Sequence, residues 1–159
     1  YKDYQFVVAA APSRSMSDYS SYIGGRESYV KVVFGQSYAV LRHAEAAVVN
    51  SGTASLETAL IGTPQVVAYK GAEINFLIAK QIIKIKYISL GNLILNRTCF
   101  RELLQFYFTP ENVLEEVIRM IEDTEYRETM LAGYQEIRDA LGGRGASAAV
   151  AKAMIEDMR

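Results

Sequence analysis

The feature that most constrains how this chain can fold is a succession of short runs rich in β-branched residues: Phe6-Val7-Val8-Ala9, Val30-Lys31-Val32-Val33-Phe34, Ala46-Ala47-Val48-Val49, Gln65-Val66-Val67-Ala68-Tyr69 and Tyr87-Ile88-Ser89-Leu90. Several are apolar without alternation. A strand with one wet face alternates, so unbroken apolar runs predict strands covered on both faces, as in a parallel sheet between helix layers. Helix-length segments at Asp18 to Tyr22, Ser37 to Ala44, Thr53 to Ile61 and Ile74 to Ile83 separate the runs. The β-α-β-α order predicts a Rossmann-like, doubly wound α/β fold.

The pattern changes near residue 109. Thr109 is a natural N-cap, Pro110 suits the first helical position, and the segment through Ile121 has helical spacing. Two more helices are expected at Glu125 to Leu141 and Ala146 to Met158, separated by Gly142-Gly143-Arg144-Gly145. The expected division is a sheet-containing lobe over 1–108 and helices over 109–159 that pack on it. At 159 residues the chain can bury roughly 70% of its unfolded surface without disulfides or metal. Lys and Arg number 17 against 18 Asp and Glu, which argues against a sequence-independent nucleic-acid binder. Cys99 is the only cysteine, so a disulfide framework is excluded within one chain and a reducing compartment is expected. The polar opening residues lead to the expectation of no signal peptide, and the apolar stretch from Ile74 to Leu90 is broken by Lys80, Lys84 and Lys86. A start at Tyr1 without Met is expected of a fragment or a processed chain, one that lacks the first strand of its lobe.

The segment from Val48 to Pro64 reads as a strand, a small-residue turn and a helix. In open α/β sheets ligands bind beyond the carboxyl ends of strands, where helix N-termini present unpaired N–H groups and partial positive charge. Ser51, Gly52, Thr53 and Ser55 allow close approach and offer hydroxyls, which suits a phosphate. Ordinary helix capping explains Ser and Thr there equally well. It does not explain Glu57, which lies six residues after Ser51 and four after Thr53, outside capping-box spacing. Glu57 shares a helix face with Thr53 and could accept ribose hydroxyls. A second polar segment carries Asn92, Asn96, Arg97, Arg101, Glu102 and Gln105 among apolar residues. Forked Arg donors and amide or carboxylate groups suit a sugar and its diphosphate, although a solvated loop has the same composition.

The runs Ser51 to Leu60, Thr63 to Tyr69 and Tyr87 to Leu93, with Glu102-Leu103-Leu104-Gln105, resemble the C-terminal half of the lipid-A-disaccharide synthase family. The Ser-Gly-Thr element alone would indicate only a GT-B-type sugar-nucleotide lobe, and the later elements are more specific. The resemblance spans the chain from about Tyr4 onward and includes Gly142 to Ser147. It implies the donor-binding half of an inverting glycosyltransferase. Such an enzyme transfers 2,3-diacylglucosamine from UDP-2,3-diacylglucosamine to 2,3-diacylglucosamine 1-phosphate, giving lipid A disaccharide phosphate and UDP. By that resemblance Ser51, Gly52, Thr53 and Ser55 would cradle the diphosphate, Glu57 would bind the ribose, and Gln36 would lie by the uracil. Asn92, Arg97, Glu102 and Gln105 would face the donor sugar or its phosphates. No metal or other cofactor is implied, and the general base is expected in the N-terminal half. That half, the lipid acceptor and a second copy of the chain are the implied partners. The implied location is the cytoplasm, at the inner face of the inner membrane of a Gram-negative bacterium. Where the family has Pro, this chain has Gly91.

The competing readings are another GT-B enzyme, such as a UDP-N-acetylglucosamine epimerase or a peptidoglycan-precursor transferase, and a non-catalytic nucleotide-binding or dimerising module. His43, the sole histidine, reads as the end of a short helix. Gly143-Arg144-Gly145-Ala146-Ser147-Ala148 matches a dinucleotide fingerprint only formally, since it follows a helix. The lysines of the Ile74 to Ile83 helix fit a solvated face, and Cys99 fits a small buried residue.

Overall fold

A computed structural model of the chain describes residues 1–71, 86–142 and 145–157. The helix expected at Ile74 to Ile83 and the Gly143-Arg144 part of the late turn lie outside the described residues. The order is β1 (Phe6–Ala10), α1 (Met16–Ile23), β2 (Val30–Phe34), α2 (Ser37–His43), β3 (Ala47–Asn50), α3 (Thr53–Ile61) and β4 (Gln65–Tyr69). Then follow α4 (Leu90–Leu95), β5 (Glu102–Leu104), a 3-10 turn (Gln105–Tyr107), α5 (Pro110–Glu122), α6 (Thr124–Leu141) and α7 (Ala146–Asp157). All described strand pairs are parallel, as the unbroken apolar runs predict: β1 with β2, β3 with β4, and β4 with β5. This is a Rossmann-like α/β arrangement of strands alternating with helices.

The ladder has two parts, β1-β2 and β3-β4-β5. One expectation fails: Tyr87 to Leu90 is not a strand. Ser89 instead occupies the N-cap position of α4, and the carboxylate of Glu102 accepts the backbone N–H groups of Ile88 (3.0 Å) and Ser89 (3.1 Å) where the chain enters the helix. The strand of this region is Glu102–Leu104, which the sequence did not reveal as one.

The core lies around β4. Val66, Val67, Ala59, Phe100, Leu103, Met120, Met130, Tyr134 and Ile137 form one buried cluster. Phe100 and Tyr134 meet edge to face with centroids 6.0 Å apart. Helix α6 packs against α3, α4 and α5. It also fastens the α3–β4 turn: the Tyr134 hydroxyl donates to the Thr63 carbonyl (3.1 Å), and the Arg138 guanidinium donates to the carbonyl of Leu60 at the end of α3 (3.1 Å). Gly133 lets α6 approach so closely that an added Cβ would sit 2.4 Å from the Cys99 sulfur. The Thr109 and Pro110 helix start is as expected, with the Thr109 hydroxyl accepting from the Asn112 N–H at 3.3 Å. Among the described residues no helix is long and apolar enough to cross a membrane.

Candidate functional site

Parallel pairing places the C-terminal ends of β3, β4 and β5 on one edge of the sheet, and the residues of interest lie along it. At the end of β3, Ser51 continues the ladder by donating its N–H to the Ala68 carbonyl (3.1 Å). Gly52 follows at φ 143°, a backbone conformation that L side chains rarely adopt, with nothing within 4 Å of the position a Cβ would take. The turn therefore needs glycine for its backbone, and it leaves open space in front of α3. Thr53 is exposed at the first helical position. Ser55, by contrast, is buried. Its hydroxyl donates to the Gly52 carbonyl (2.8 Å), and its carbonyl accepts from the Gln65 amide (2.8 Å).

One helical turn after Thr53, Glu57 lines a cavity of about 470 Å³ together with Gly35, Gln36, Ser37, Tyr38 and Ala39. The fold thus brings Gln36 and Glu57, far apart in sequence, to one wall. It adds Tyr38, which sequence reasoning missed. The charge of Glu57 beside the Tyr38 phenol pushes the phenol above its ordinary range. The available signal was the aromatic ring two residues after Gln36, where the chain leaves β2.

The second polar segment is organised differently. Asn92 is wholly buried; its amide nitrogen donates to the Phe100 carbonyl and to Glu102 (2.9 Å each), while its oxygen accepts from the N–H groups of Cys99 (2.8 Å) and Phe100 (3.3 Å). Glu102 accepts from Ile88, Ser89 and Asn92, including a short bond from the Ser89 hydroxyl. Gln105, at φ 50° and 5% exposed, pairs its side-chain amide with both backbone groups of Gly71 (3.2 and 3.3 Å) once the amide is oriented by that pattern. These three residues hold the loops that flank β5. Arg97 is drawn aside by an ion pair with Glu136 on α6 at 2.6 Å, both side chains being about half exposed. Arg101 instead lines a smaller cavity of about 290 Å³, with Lys86, Tyr87, Thr98 and the Asn92–Glu102 pair. Its guanidinium is held from behind by the buried Glu116 on α5 (3.3 Å).

His43 and Cys99 fall where structural roles predict. His43 ends α2. Cys99 is buried, its thiol donates to the Met130 carbonyl (3.6 Å), and burial raises its pKa to about 11, so it is poorly suited to nucleophilic work at neutral pH.

A family model described as lipid-A-disaccharide synthetase matches residues 1–154. A lipid-A-disaccharide synthase of Myxococcus xanthus is 37% identical over 152 residues, covering 96% of this chain and 40% of the relative. That of Anaeromyxobacter dehalogenans strain 2CP-1 is 34% identical over 160 residues, covering 100% and 42%. That of Trichlorobacter lovleyi is 34% identical over 142 residues, covering 89% and 37%. The chain spans about two fifths of the length of these curated relatives.

Proposed function

The chain belongs to the lipid-A-disaccharide synthase family, and from that premise we propose that it is the donor-binding part of a glycosyltransferase of lipid A biosynthesis. The donor is UDP-2,3-diacylglucosamine. Its sugar passes to the primary hydroxyl of 2,3-diacylglucosamine 1-phosphate, with inversion at the anomeric carbon. The acceptor oxygen forms the new glycosidic bond as the bond to UDP breaks. The hydroxyl proton goes to a general base outside this chain, and UDP leaves with the electron pair.

The roles of the residues follow from their placement. The open turn Ser51-Gly52-Thr53 receives the diphosphate at the N-terminus of α3, where backbone N–H groups and the helix dipole stabilise the charge that develops on the leaving group. Glu57 accepts the ribose hydroxyls, and Gln36 and Tyr38 border the base. Ser55, Asn92, Glu102 and Gln105 shape the site through the backbone they hold. Arg97 reaches a ligand only by leaving Glu136, whereas Arg101 already lines a cavity. The acceptor and base would come from the remainder of the enzyme, at the cytoplasmic membrane surface.

The observation that carries this reading is the convergence of Gln36 and Glu57 on one cavity beside a glycine-dependent turn, in a chain that matches the family over residues 1–154. Calorimetric titration of UDP tests it. Binding that weakens about tenfold or more in Glu57→Ala is expected, from the loss of charge-assisted hydrogen bonds to the ribose. UDP bound equally by both chains would remove Glu57 from the site.

A further inference from the structure

The turn after β5 carries three consecutive aromatic residues that the core does not use. Phe106 is 76% exposed, Tyr107 70% and Phe108 38%. Exposed aromatics on a loose loop would carry little meaning, but this turn is held from both sides. Gln105 adopts a left-handed backbone at φ 50° and is fastened to Gly71 through its side-chain amide. Beyond it, Phe108 N–H donates to the Gln105 carbonyl (3.2 Å), and Thr109 N–H (3.0 Å) and the Asn112 amide (2.8 Å) both donate to the Tyr107 carbonyl. A non-glycine residue in that conformation is maintained against local strain by its surroundings. Here the surroundings fix a turn whose effect is to hold two rings in water.

The ridge also has a definite place. It follows the C-terminal end of β5, opposite the end of β4, where Tyr69 pairs in register with Leu104 and is itself 40% exposed. Glycine at 71 leaves room for the Tyr69 ring, since a Cβ there would come within 2.8 Å of its hydroxyl. The ring side of the β4 and β5 ends is therefore apolar and aromatic, on the same sheet edge as the Ser51-Gly52-Thr53 turn.

We propose that Phe106 and Tyr107 are the wall along which the acyl chains of the lipid-linked sugar nucleotide lie. This inference rests on the donor-site reading given above. The area argues for a lipid chain over a protein partner: two aromatic side chains offer roughly 150–250 Å² each, far below the ~800 Å² per partner of a stable protein interface. A pair of hydrocarbon chains needs only such a strip. The ridge stands on the sheet edge where the sugar would be presented, so the chains reach it without crossing the lobe.

The test compares the chain with its Phe106→Ser/Tyr107→Ser variant, binding UDP alone and UDP-linked glucosamine donors of increasing acyl length. In the parent, affinity rises with each added methylene, up to about fourfold per fully buried group. The variant should bind UDP unchanged but show a flat dependence on acyl length, and Phe106→Leu/Tyr107→Leu should restore the slope. Circular dichroism of both variants should match the parent, because neither ring is in the core. The same slope in parent and Ser variant overturns the proposal. So does a parent that binds UDP but is indifferent to acyl length, and in that case the donor-site reading survives. A Ser variant altered in adsorption to phospholipid vesicles but not in acyl-length dependence would make the ridge a bilayer contact and also overturn it. Failure of the parent to bind UDP or any donor overturns the donor-site reading, and this inference with it.

Discussion

Strands β1 and β4 have nearly the same composition and opposite surroundings. Phe6-Val7-Val8-Ala9-Ala10 leaves Phe6 57% and Val7 41% exposed and buries only Ala10. Gln65-Val66-Val67-Ala68-Tyr69 is buried from Gln65 to Ala68. The difference lies in neighbours. β4 is paired on both edges and covered by α3 and α5, whereas among the described residues β1 pairs only with β2. An apolar run therefore announces a strand that can be covered on both faces, and whether it is covered depends on what the rest of the fold supplies. Stability should be concentrated around β3-β4-β5, and β1-β2 should contribute little.

The largest expected effect comes from breaking the covered side. Tyr134→Ala removes a ring that packs on Phe100 and a hydroxyl bonded to the Thr63 carbonyl. It should cost about 3–5 kcal/mol in urea unfolding, and a loss under about 1 kcal/mol would show the cluster to be less cooperative than its burial implies. Asn92→Ala comes next, because it leaves the N–H groups of Cys99 and Phe100 and the Phe100 carbonyl without their partner. About 2–3 kcal/mol is expected, and full stability would show that water replaces the amide. A smaller effect is pH-dependent. The Cys99 thiol ionises at its ordinary value of 9.0 in the unfolded chain but only at about 11 in the fold. The folded state thus holds the extra proton between those values, and the contribution, complete below pH 9, is lost as pH rises through 11. Cys99→Ala should flatten that part of the stability profile. The smallest effect is on the uncovered side: Phe6→Ser should change stability by no more than about 0.5 kcal/mol. A loss several times larger would mean that β1 is supported as well as β4.

Much of the fold could be read from the residues, because strand runs and helix caps are local. Phe6 to Ala9, Val30 to Phe34 and Gln65 to Tyr69 are strands, and Thr109-Pro110 opens a helix, for the reasons their chemistry suggests. Tyr87 to Leu90 reads as a strand in sequence, but its fate is decided by Glu102, whose carboxylate on the neighbouring strand binds the two backbone N–H groups just ahead of the helix. β5 was missed for the same reason: three residues carry no period, and their pairing with β4 is a tertiary fact. The residue types of the site were legible, but the division of labour among them was not. Ser55, Asn92, Glu102 and Gln105 look like ligand-binding groups in sequence, yet in the fold their polar atoms already meet the chain's own backbone and side chains. Tyr38 joined the cavity only when α2 and α3 came together.

The bonding of Asn92 and Glu102 has a consequence for motion. Any displacement of the loop from Arg97 to Arg101 must break the amide bonds of Asn92, and any shift of the start of α4 must pull Ile88 and Ser89 from one carboxylate. The β5 side of this sheet edge is thereby held as a wall by bonds within the chain, and a ligand seated on it as proposed would find those loops already ordered.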